Sequence, residues 1–175
     1  SCMALAIACI TFTTGYAHEG TELSSKDLAS QIGKTETELK EIDKKIIAYN
    51  EKVIANQDDA DAHFNLGVLY EQKMKFNDAI SEYQKTIQLK PDSIEARINL
   101  SLVYTERNMY EESVGTLKQV LEIDPDNVDA HKYIGRSYYK TGLLNEALEE
   151  FKKALELEKK DPEIHCYLES VYFSM

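Results

Sequence analysis

The stretch HFNLGVLY, residues 63–70, ends on a tyrosine that returns along the chain at a constant interval. The interval is 34 residues, and it relates Tyr70, Tyr104, Tyr138 and Tyr172. A column of leucine or isoleucine and a column of mostly small residues come shortly before each tyrosine. The alignment needs no insertion from residue 60 to residue 175, so the chain contains tandem repeats of one structural unit.

Each unit has the hydrophobic spacing of two helices. In the first unit, His63, Leu66 and Tyr70 follow the spacing i, i+3, i+7, which places them on one face of a helix. A second apolar stripe follows and ends before Pro91, which has no backbone N–H to continue a helix. Each unit is therefore predicted to be a helical hairpin, and the small residue, Gly67 in this unit, lets its two helices approach closely.

This pattern resembles the tetratricopeptide repeat, whose signature W-x2-L-G-x2-Y…A-x3-F…P has the same period. The units are 60–93, 94–127 and 128–161, and the aligned stretch from residue 60 to residue 175 covers about two-thirds of the chain. The matching residues are Leu66, Gly67, Tyr70, Ala79, Tyr83 and Pro91, then Leu100, Ser101, Tyr104, Ser113, Leu117 and Pro125, and then Ile134, Gly135, Tyr138, Ala147, Phe151 and Ala154. The resemblance implies an all-α fold, a right-handed α-solenoid of helical hairpins with N- and C-terminal capping helices.

The segment before the repeats has a helical pattern of its own. Residues 18–34 are polar and are expected to be loose, after which Thr35 and Glu38 form a capping box. An apolar stripe follows on a predicted helix of residues 36–56, at Leu39, Ile42, Ile46, Tyr49 and Val53. Segment 35–57 is interpreted as an N-terminal capping helix or a degenerate repeat. A coiled-coil seam for a partner is the alternative.

Segment 162–175 has the pattern of the first helix of a fourth unit, a half repeat. Glu169 occupies its small-residue position, which suits a capping helix whose outer side faces water. Five residues of the segment are too apolar for a pure cap: Tyr167, Val171, Tyr172, Phe173 and Met175. They support an alternative interpretation, in which the chain is a structural subunit that self-associates head to tail into an oligomer or filament.

The apolar run CMALAIACITF near the start of the chain resembles part of a leader. Gly15 and Ala17 stand at the −3 and −1 positions before His18, so residues 1–17 are predicted to be a partial signal peptide. Lipid attachment at Cys9 is the alternative. The expected location is periplasmic or extracellular, with membrane anchoring only through a lipidated or uncleaved N-terminus.

The charge of the chain argues against one class of partner. The net charge is −11, from 31 acidic and 20 basic residues. An acidic surface repels a phosphate backbone, so nucleic-acid binding is not expected. The three cysteines, Cys2, Cys9 and Cys166, make no disulfide framework, since two of them lie in the predicted leader.

The sequence contains no motif that indicates catalysis. There is no glycine-rich phosphate loop, no nucleophile elbow and no CxxC motif. His63, His131 and His165 share one repeat column, so they lie on successive hairpins about 10 Å apart, too far from one another to bind one metal ion. Copper binding by an N-terminal His18 is a weaker alternative. The prediction is a non-enzymatic protein without a cofactor or a metal.

The resemblance also implies where a partner binds, because the first helices of tetratricopeptide repeats line a concave groove for peptides or partner helices. The groove positions here are Phe64, Val68, Ile98, Asn99, Leu102, Lys132, Tyr133, Arg136, Tyr139 and Lys140. Their apolar members predict a floor, and their basic and aromatic members predict one end that accepts an acidic group. The expected function is that of an adaptor or scaffold, which binds a peptide or helical segment with apolar anchors and an acidic end.

One subset of the family grips a C-terminal carboxylate with Lys, Asn and Arg side chains. The matching positions in this chain hold Phe64, Val68, Asn99, Asp129 and Tyr133, and only Asn99 fits. Binding of a chaperone tail is therefore not predicted.

Overall fold

The structure, a computed structural model, describes residues 25–175, with side chains from residue 36 onward. The described residues form eight helices: α1 (Ser25–Ala55), α2 (Ala60–Gln72), α3 (Phe76–Leu89), α4 (Ile94–Glu106), α5 (Tyr110–Ile123), α6 (Val128–Lys140), α7 (Leu144–Leu157) and α8 (Pro162–Ser174). The chain divides into two compact units, Ser1–Glu38 and Leu39–Met175, and every hairpin belongs to the second unit. The predicted signal peptide 1–17 and His18 lie outside the described residues.

Helix α1 begins at Ser25, well before the predicted start at residue 36. Segment 18–34 is therefore helical from Ser25 on, and the prediction of a loose segment is wrong for that part. The predicted capping box at Thr35 lies inside the helix. No proline interrupts the stretch, and extending a helix costs far less than starting one, so the helix continues through the local start signal.

The apolar stripe of α1 is partly covered. Its half-buried members are Ile42, Ile46, Tyr49 and Val53. Leu39, at the start of the stripe, is 46% exposed. Lys73, in the turn after α2, forms an ion pair with Asp43 on α1. The stripe is thus the side of α1 that is shielded from water within the second compact unit.

The other helices pair in the order of the repeats. Helix α2 pairs with α3, α4 with α5, and α6 with α7, while α8 packs on α7. The first helices of neighbouring units also contact one another, whereas among the described residues the second helices α3, α5 and α7 do not. The first helices are therefore the more closely spaced row and line the inner side of the solenoid. The inner face is the surface that α2, α4, α6 and α8 present together on this inner side. The predicted all-α solenoid of hairpins is confirmed.

Each first helix begins with a capping side chain at the same repeat position. The capping residues are Asp59, Ser93, Asn127 and Asp161. Their side-chain oxygens accept a hydrogen bond from a backbone N–H in the first turn, a donor that has no partner inside the helix. The entry into every unit is thus defined by a polar side chain that recurs with the repeat.

The turn inside each hairpin contains one residue with a left-handed backbone. These residues are Met74, Asn108 and Gly142, with φ angles of 57°, 59° and 80°. Only glycine adopts such angles without a steric cost. The repeat therefore imposes one backbone geometry on three different residue types.

Hydrophobic clusters join the second helix of each hairpin to the first helix of the next. Tyr83, Leu117 and Phe151 are fully buried in them. A Cβ atom added to Gly67 would lie 2.6 Å from Cε1 of Tyr83, and one added to Gly135 would lie 2.8 Å from Cε1 of Phe151. The predicted small-residue column is therefore where the two helices of a hairpin approach most closely.

Candidate protein-binding face

The inner face has apolar side chains on α2 and α4. Phe64, Val68, Ile98 and Leu102 are all half-buried. Phe64 and Val68 pack against the cluster that contains Tyr83, and the ring centroids of Phe64 and Tyr83 are 5.8 Å apart. Ile98 packs against the cluster that contains Leu117. Packing holds Phe64, Val68 and Ile98 while leaving them partly exposed, and together with the half-buried Leu102 they form an apolar floor.

A polar group lies beside this floor, and only part of it was expected. The Tyr83 hydroxyl donates a hydrogen bond to Oε2 of Glu71 at 2.9 Å, and the half-buried Asn99 side chain lies near this hydroxyl. Burial raises the pKa of Glu71, and the nearby carboxylate of Glu106 adds to the effect. Burial and the Glu71 carboxylate raise the pKa of Tyr83 above its usual range. This end of the face therefore disfavours an acidic partner group.

The pairing of Glu71 with Tyr83 depends on how α2 packs on α3. The repeat signature specifies the tyrosine but places no requirement on residue 71, so no signal in the sequence marks Glu71.

Lys132, predicted as part of a basic end, is buried and neutralised. Its Nζ lies 3.2 Å from Asp129, 3.2 Å from Asp161 and 3.3 Å from Glu163. Burial alone would lower the pKa of Lys132, but these carboxylates outweigh it and raise the pKa above its usual range. Lys132 is therefore a structural cation between α6 and α8, and its assignment to the partner site is corrected. Two of its partners, Asp161 and Glu163, lie at the start of α8, and the pattern within the first helix of a single unit does not show them.

Arg136, also predicted for this end, is half-buried and keeps part of its surface exposed. The Arg136 guanidinium carbon lies 5.2 Å from the ring centroid of Tyr133, and its charge partly offsets the effect of burial, which raises the pKa of Tyr167. The Nε atom of Arg136 is the one buried side-chain polar atom without a hydrogen-bond partner among the described residues. Tyr133 and Arg136 are half-buried. The pair forms a basic-aromatic patch at the end of the inner face opposite to Glu71.

The last two predicted groove residues differ in exposure. Tyr139 packs against the cluster that joins α7 and α8, so its ring is partly used by the core. Lys140 is exposed. Neither residue adds an ordered contact to the basic-aromatic patch.

The residues predicted for self-association do not share one surface. Val171 is fully buried, and the ring of Tyr167 stacks on Phe151 with centroids 5.0 Å apart. Both residues hold α8 on α7. Val171 is not available for another molecule, so its assignment is corrected, whereas Tyr167 is half-buried. Tyr172 and Phe173 are 57% and 95% exposed. The prediction could not separate the pairs because a run of aromatic residues on a helix covers several faces.

The histidine column serves packing in the two complete units that contain it. Nδ1 of His63 lies 2.6 Å from Oε2 of Glu82, and Nδ1 of His131 lies 2.6 Å from Oε2 of Glu150. The Nε2 atom of each ring faces a backbone carbonyl oxygen at 3.1 Å. Each ring therefore links its first helix to the second helix of the same hairpin and to the preceding turn.

Two other kinds of feature are absent from the described part of the chain. No group of three His, Cys, Asp or Glu side chains there is arranged to hold a metal ion. None of the helices within residues 25–175 combines the length and the hydropathy needed to cross a lipid bilayer.

The fold is similar to several solved structures. The TPR domain of Arabidopsis OM64 shares 18% identity, with 66% of this chain and 96% of that one covered and a TM-score of 0.64. MamA, residue 41 to the end, from Desulfovibrio magneticus RS-1 shares 17% identity over 86% of each chain, with a TM-score of 0.71. The first TPR domain of Spaghetti (RPAP3), bound to an HSP90 peptide, shares 19% identity over 66% of this chain and 91% of that one, with a TM-score of 0.63. At these identities the similarity shows the fold alone.

Family models give independent support for the repeats. A model described as Tetratricopeptide repeat matches residues 60–93, and one described as TPR repeat matches residues 101–142 and 135–175. No curated protein sequence matches the chain. The matched ranges make up more than half of the chain and reach into all three hairpins, so the chain belongs to the tetratricopeptide repeat family.

Proposed function

We propose that this chain is a non-enzymatic adaptor or scaffold that binds a segment of a partner protein on its inner face. The tetratricopeptide fold itself suggests protein–protein interaction. The observation that carries the finer proposal is the half-exposed apolar floor of Phe64, Val68, Ile98 and Leu102, of which the first three are held by packing. Large side chains that packing holds at the surface can bury apolar area on binding without first losing conformational freedom.

The charges of the inner face favour one orientation of the partner segment. Glu71 and Glu106 lie at one end, and Arg136 lies at the other. An acidic group of the partner is repelled at the first end and is attracted at the second. The proposed ligand is therefore an extended or helical segment with apolar anchors over α2 and α4 and an acidic group beside Arg136.

The RPAP3 structure contains a bound HSP90 peptide, but that likeness does not define the ligand of this chain. The positions that grip a chaperone carboxylate hold Phe64, Val68, Asp129 and Tyr133 here, and only Asn99 fits. A chaperone tail is therefore not the proposed ligand.

The proposal is tested by comparing variants in quantitative capture experiments from an extract of the source cells. Leu102→Glu places a charge on the floor, and Arg136→Glu reverses the charge of the basic-aromatic patch. Lys152→Glu, an exposed change on the second helix α7, is the matched control. We expect the first two variants to lose the same partners while the control keeps them, with unchanged helicity by circular dichroism. Equal capture by all the variants contradicts the inner face as the binding site.

A second candidate function is self-association as a structural subunit. The exposure of Tyr172 and Phe173 favours it, because adjacent exposed aromatic residues often mark a contact surface. Light scattering over a concentration series, with Tyr172→Ser/Phe173→Ser as the comparison, tests this candidate. Growth that the double change abolishes supports assembly through α8, and a monomer at all concentrations excludes it.

We also propose that the chain is exported, on the basis of the leader pattern before His18. Sequencing the N-terminus of the protein isolated from its source cells tests this proposal. A start at His18 supports cleavage by a signal peptidase, and a lipid on Cys9 supports the anchored alternative. A retained leader without a lipid contradicts both.

A further inference from the structure

A cavity of about 300 Å³ opens between α5 and the turn that joins α6 to α7. Its apolar walls include Val114, Tyr138 and Leu143, and Ser137 contributes a hydroxyl. No residue predicted for the inner face lines it. The cavity is therefore a feature separate from the proposed binding face.

The repeat provides an internal explanation of why the cavity exists. One unit earlier, the equivalent space is bridged by Arg107, whose guanidinium donates to Oδ1 of Asn77 at 2.6 Å. It is bridged a second time by Gln84, whose Nε2 donates to the Tyr104 hydroxyl at 3.0 Å. The junction between the first and second hairpins is thus closed by side chains.

Three replacements by smaller residues open the same space at the next junction. Thr141 stands in the position of Arg107, Ser137 in that of Val103, and Gly115 in that of Ser81. A Cβ atom added to Gly115 would meet nothing within 4 Å, which shows that the space above this helix position is unfilled. Tyr138 continues the tyrosine column, so the aromatic wall of this cavity, an open cleft, is retained. The side chains that bridge the equivalent space at the first junction are replaced by smaller ones.

The size and lining of the cavity fit one aromatic ring. An apolar cavity of roughly 150 Å³ already holds benzene, so this space accommodates a phenyl ring together with the carbon that carries it. The walls are apolar, and Tyr138 offers an aromatic surface for an offset or edge-on contact.

Charged residues at the rim of the cavity determine which kind of partner residue is favoured next to the bound ring. Lys118 and Glu111 lie two turns apart on α5, and both are exposed. Among the described residues no hydrogen bond or ion pair involves Lys118, whereas its repeat equivalent Gln84 is bonded to Tyr104. An acidic group beside the ring is therefore attracted at the Lys118 end, away from Glu111.

We propose that this cleft is a second docking site, which takes a single aromatic side chain with an adjacent acidic residue from a partner protein. The rim residues Glu111, Gly115, Lys118 and Leu143 are exposed, so one side of the bound ring stays open to solvent. Small-molecule sites usually enclose most of their ligand, whereas a side chain enters through an open mouth still attached to its backbone. The chain then holds one partner on its inner face and another at the cleft.

Titration of the ¹⁵N-labelled full chain with capped dipeptides tests the proposal by NMR. The probes are Ac-Phe-Glu-NH₂, Ac-Phe-Lys-NH₂ and Ac-Ala-Glu-NH₂, with benzoate as a free aromatic acid. We expect Ac-Phe-Glu-NH₂ to shift the amide signals of Gly115 and Ser137 at the lowest concentration. The lysine dipeptide should bind about two- to fivefold more weakly, the range expected for one exposed charge pair. Lys118→Glu should remove that preference.

The matched variant gives the junction that contains the cavity the larger residues of the junction between the first and second hairpins. Gly115→Ser/Ser137→Val/Thr141→Arg places the residues of the first junction around the cavity, and it should abolish the shifts while keeping the helicity. Thr141→Arg alone, at an exposed position, repeats the test if the triple change fails to fold. Shifts that persist in either folded variant overturn the site, as does the absence of shifts with every probe. Binding of benzoate as tight as that of the dipeptide overturns the assignment to a protein partner.

Discussion

Gly67 and Gly135 each lie against a fully buried aromatic ring, where the two helices of a hairpin are closest. In the second unit the equivalent pair is Ser101 and Leu117. Serine is larger than glycine, and leucine is smaller than tyrosine or phenylalanine. The combined volume of the two side chains at this contact is therefore similar in all three units. This volume limit determines which substitutions the hairpins tolerate.

We expect Gly67→Ala and Gly135→Ala each to lower the free energy of unfolding by about 1–3 kcal/mol, the usual cost of overpacking. The added methyl group falls within 3 Å of a buried ring that has no room to turn away. Urea denaturation measures the change.

Gly115→Ala is the matched control, because the same substitution on an open helix surface should be neutral or should stabilise by up to about 1 kcal/mol. Equal effects at all three positions would show that helix propensity, and not the contact, decides the outcome.

Two carboxyl groups should give opposite pH dependences. Burial opposes the ionisation of Glu150, but Lys153 and His131 outweigh it and hold the pKa of Glu150 below its ordinary value. Its stabilising contribution is present above the unfolded pKa and is lost as pH falls through the folded pKa. Burial raises the pKa of Glu71, so its contribution is present below the unfolded pKa and is lost as pH rises through the folded pKa.

Unfolding free energies measured between about pH 3 and pH 7, the range in which carboxyl groups titrate, test this difference. Glu150→Gln should flatten the gain in stability with rising pH, and Glu71→Gln should steepen it. Glu149→Gln, an exposed change on the same helix as Glu150, is the control. Identical slopes for the two test variants would show that neither environment acts on folding.

At the scale of the element, the hairpin turn is a fixed backbone shape to which the residue adapts. Met74 adopts a left-handed φ of 57° and is 73% exposed, so its side chain gains little from packing. Asn108 adopts the same geometry at φ 59°, and asparagine tolerates it better than methionine does. The strain is thus unequal among turns of the same shape.

Met74→Gly should therefore raise the free energy of unfolding by up to about 1 kcal/mol, since it removes a left-handed conformation that is unfavourable for residues with a Cβ atom. Asn108→Gly should change it much less. Thermal and urea unfolding of the two variants measure the difference, and the prediction fails if Asn108→Gly stabilises as much as Met74→Gly.

At the scale of the whole molecule, each hairpin depends on its neighbours. The clusters that contain Tyr83, Leu117 and Phe151 each join two adjacent units, so no unit has a closed core of its own. Stability in such an array is approximately a sum of unit terms and contacts between neighbours. Damage at one junction should therefore spread from that junction outward.

Leu117→Ala removes a fully buried side chain at the middle junction and should cost about 2–5 kcal/mol. Native-state hydrogen exchange should show the largest loss of protection in α4, α5 and α6, and a smaller loss in α8. Leu157→Ala makes the same substitution at a position that is 42% exposed and should leave the pattern nearly unchanged. A uniform loss along the chain after Leu117→Ala would indicate a single cooperative core instead.

The ten residues predicted for the inner face show how far sequence reasoning reached into the site. The positions of Phe64 and Ile98 follow from their place in the repeat, because helical periodicity and hairpin pairing are local properties. The state of Lys132 does not follow from it, since Asp161 and Glu163 reach it from the N-terminus of α8. The polar pair of Glu71 and Tyr83 likewise depends on contact between two helices.

The sequence by itself determined the class of the protein. The 34-residue period and the helical spacing within each unit are local properties, and a solenoid of helical hairpins satisfies them in every unit. Only the tertiary structure decided which charges remain free and which spaces remain open. The neutralised Lys132 and the cleft beside Gly115 depend on side chains that come together across neighbouring hairpins. A column of residue types constrains the backbone of each unit, but volume and charge balance at a junction depend on both units at once.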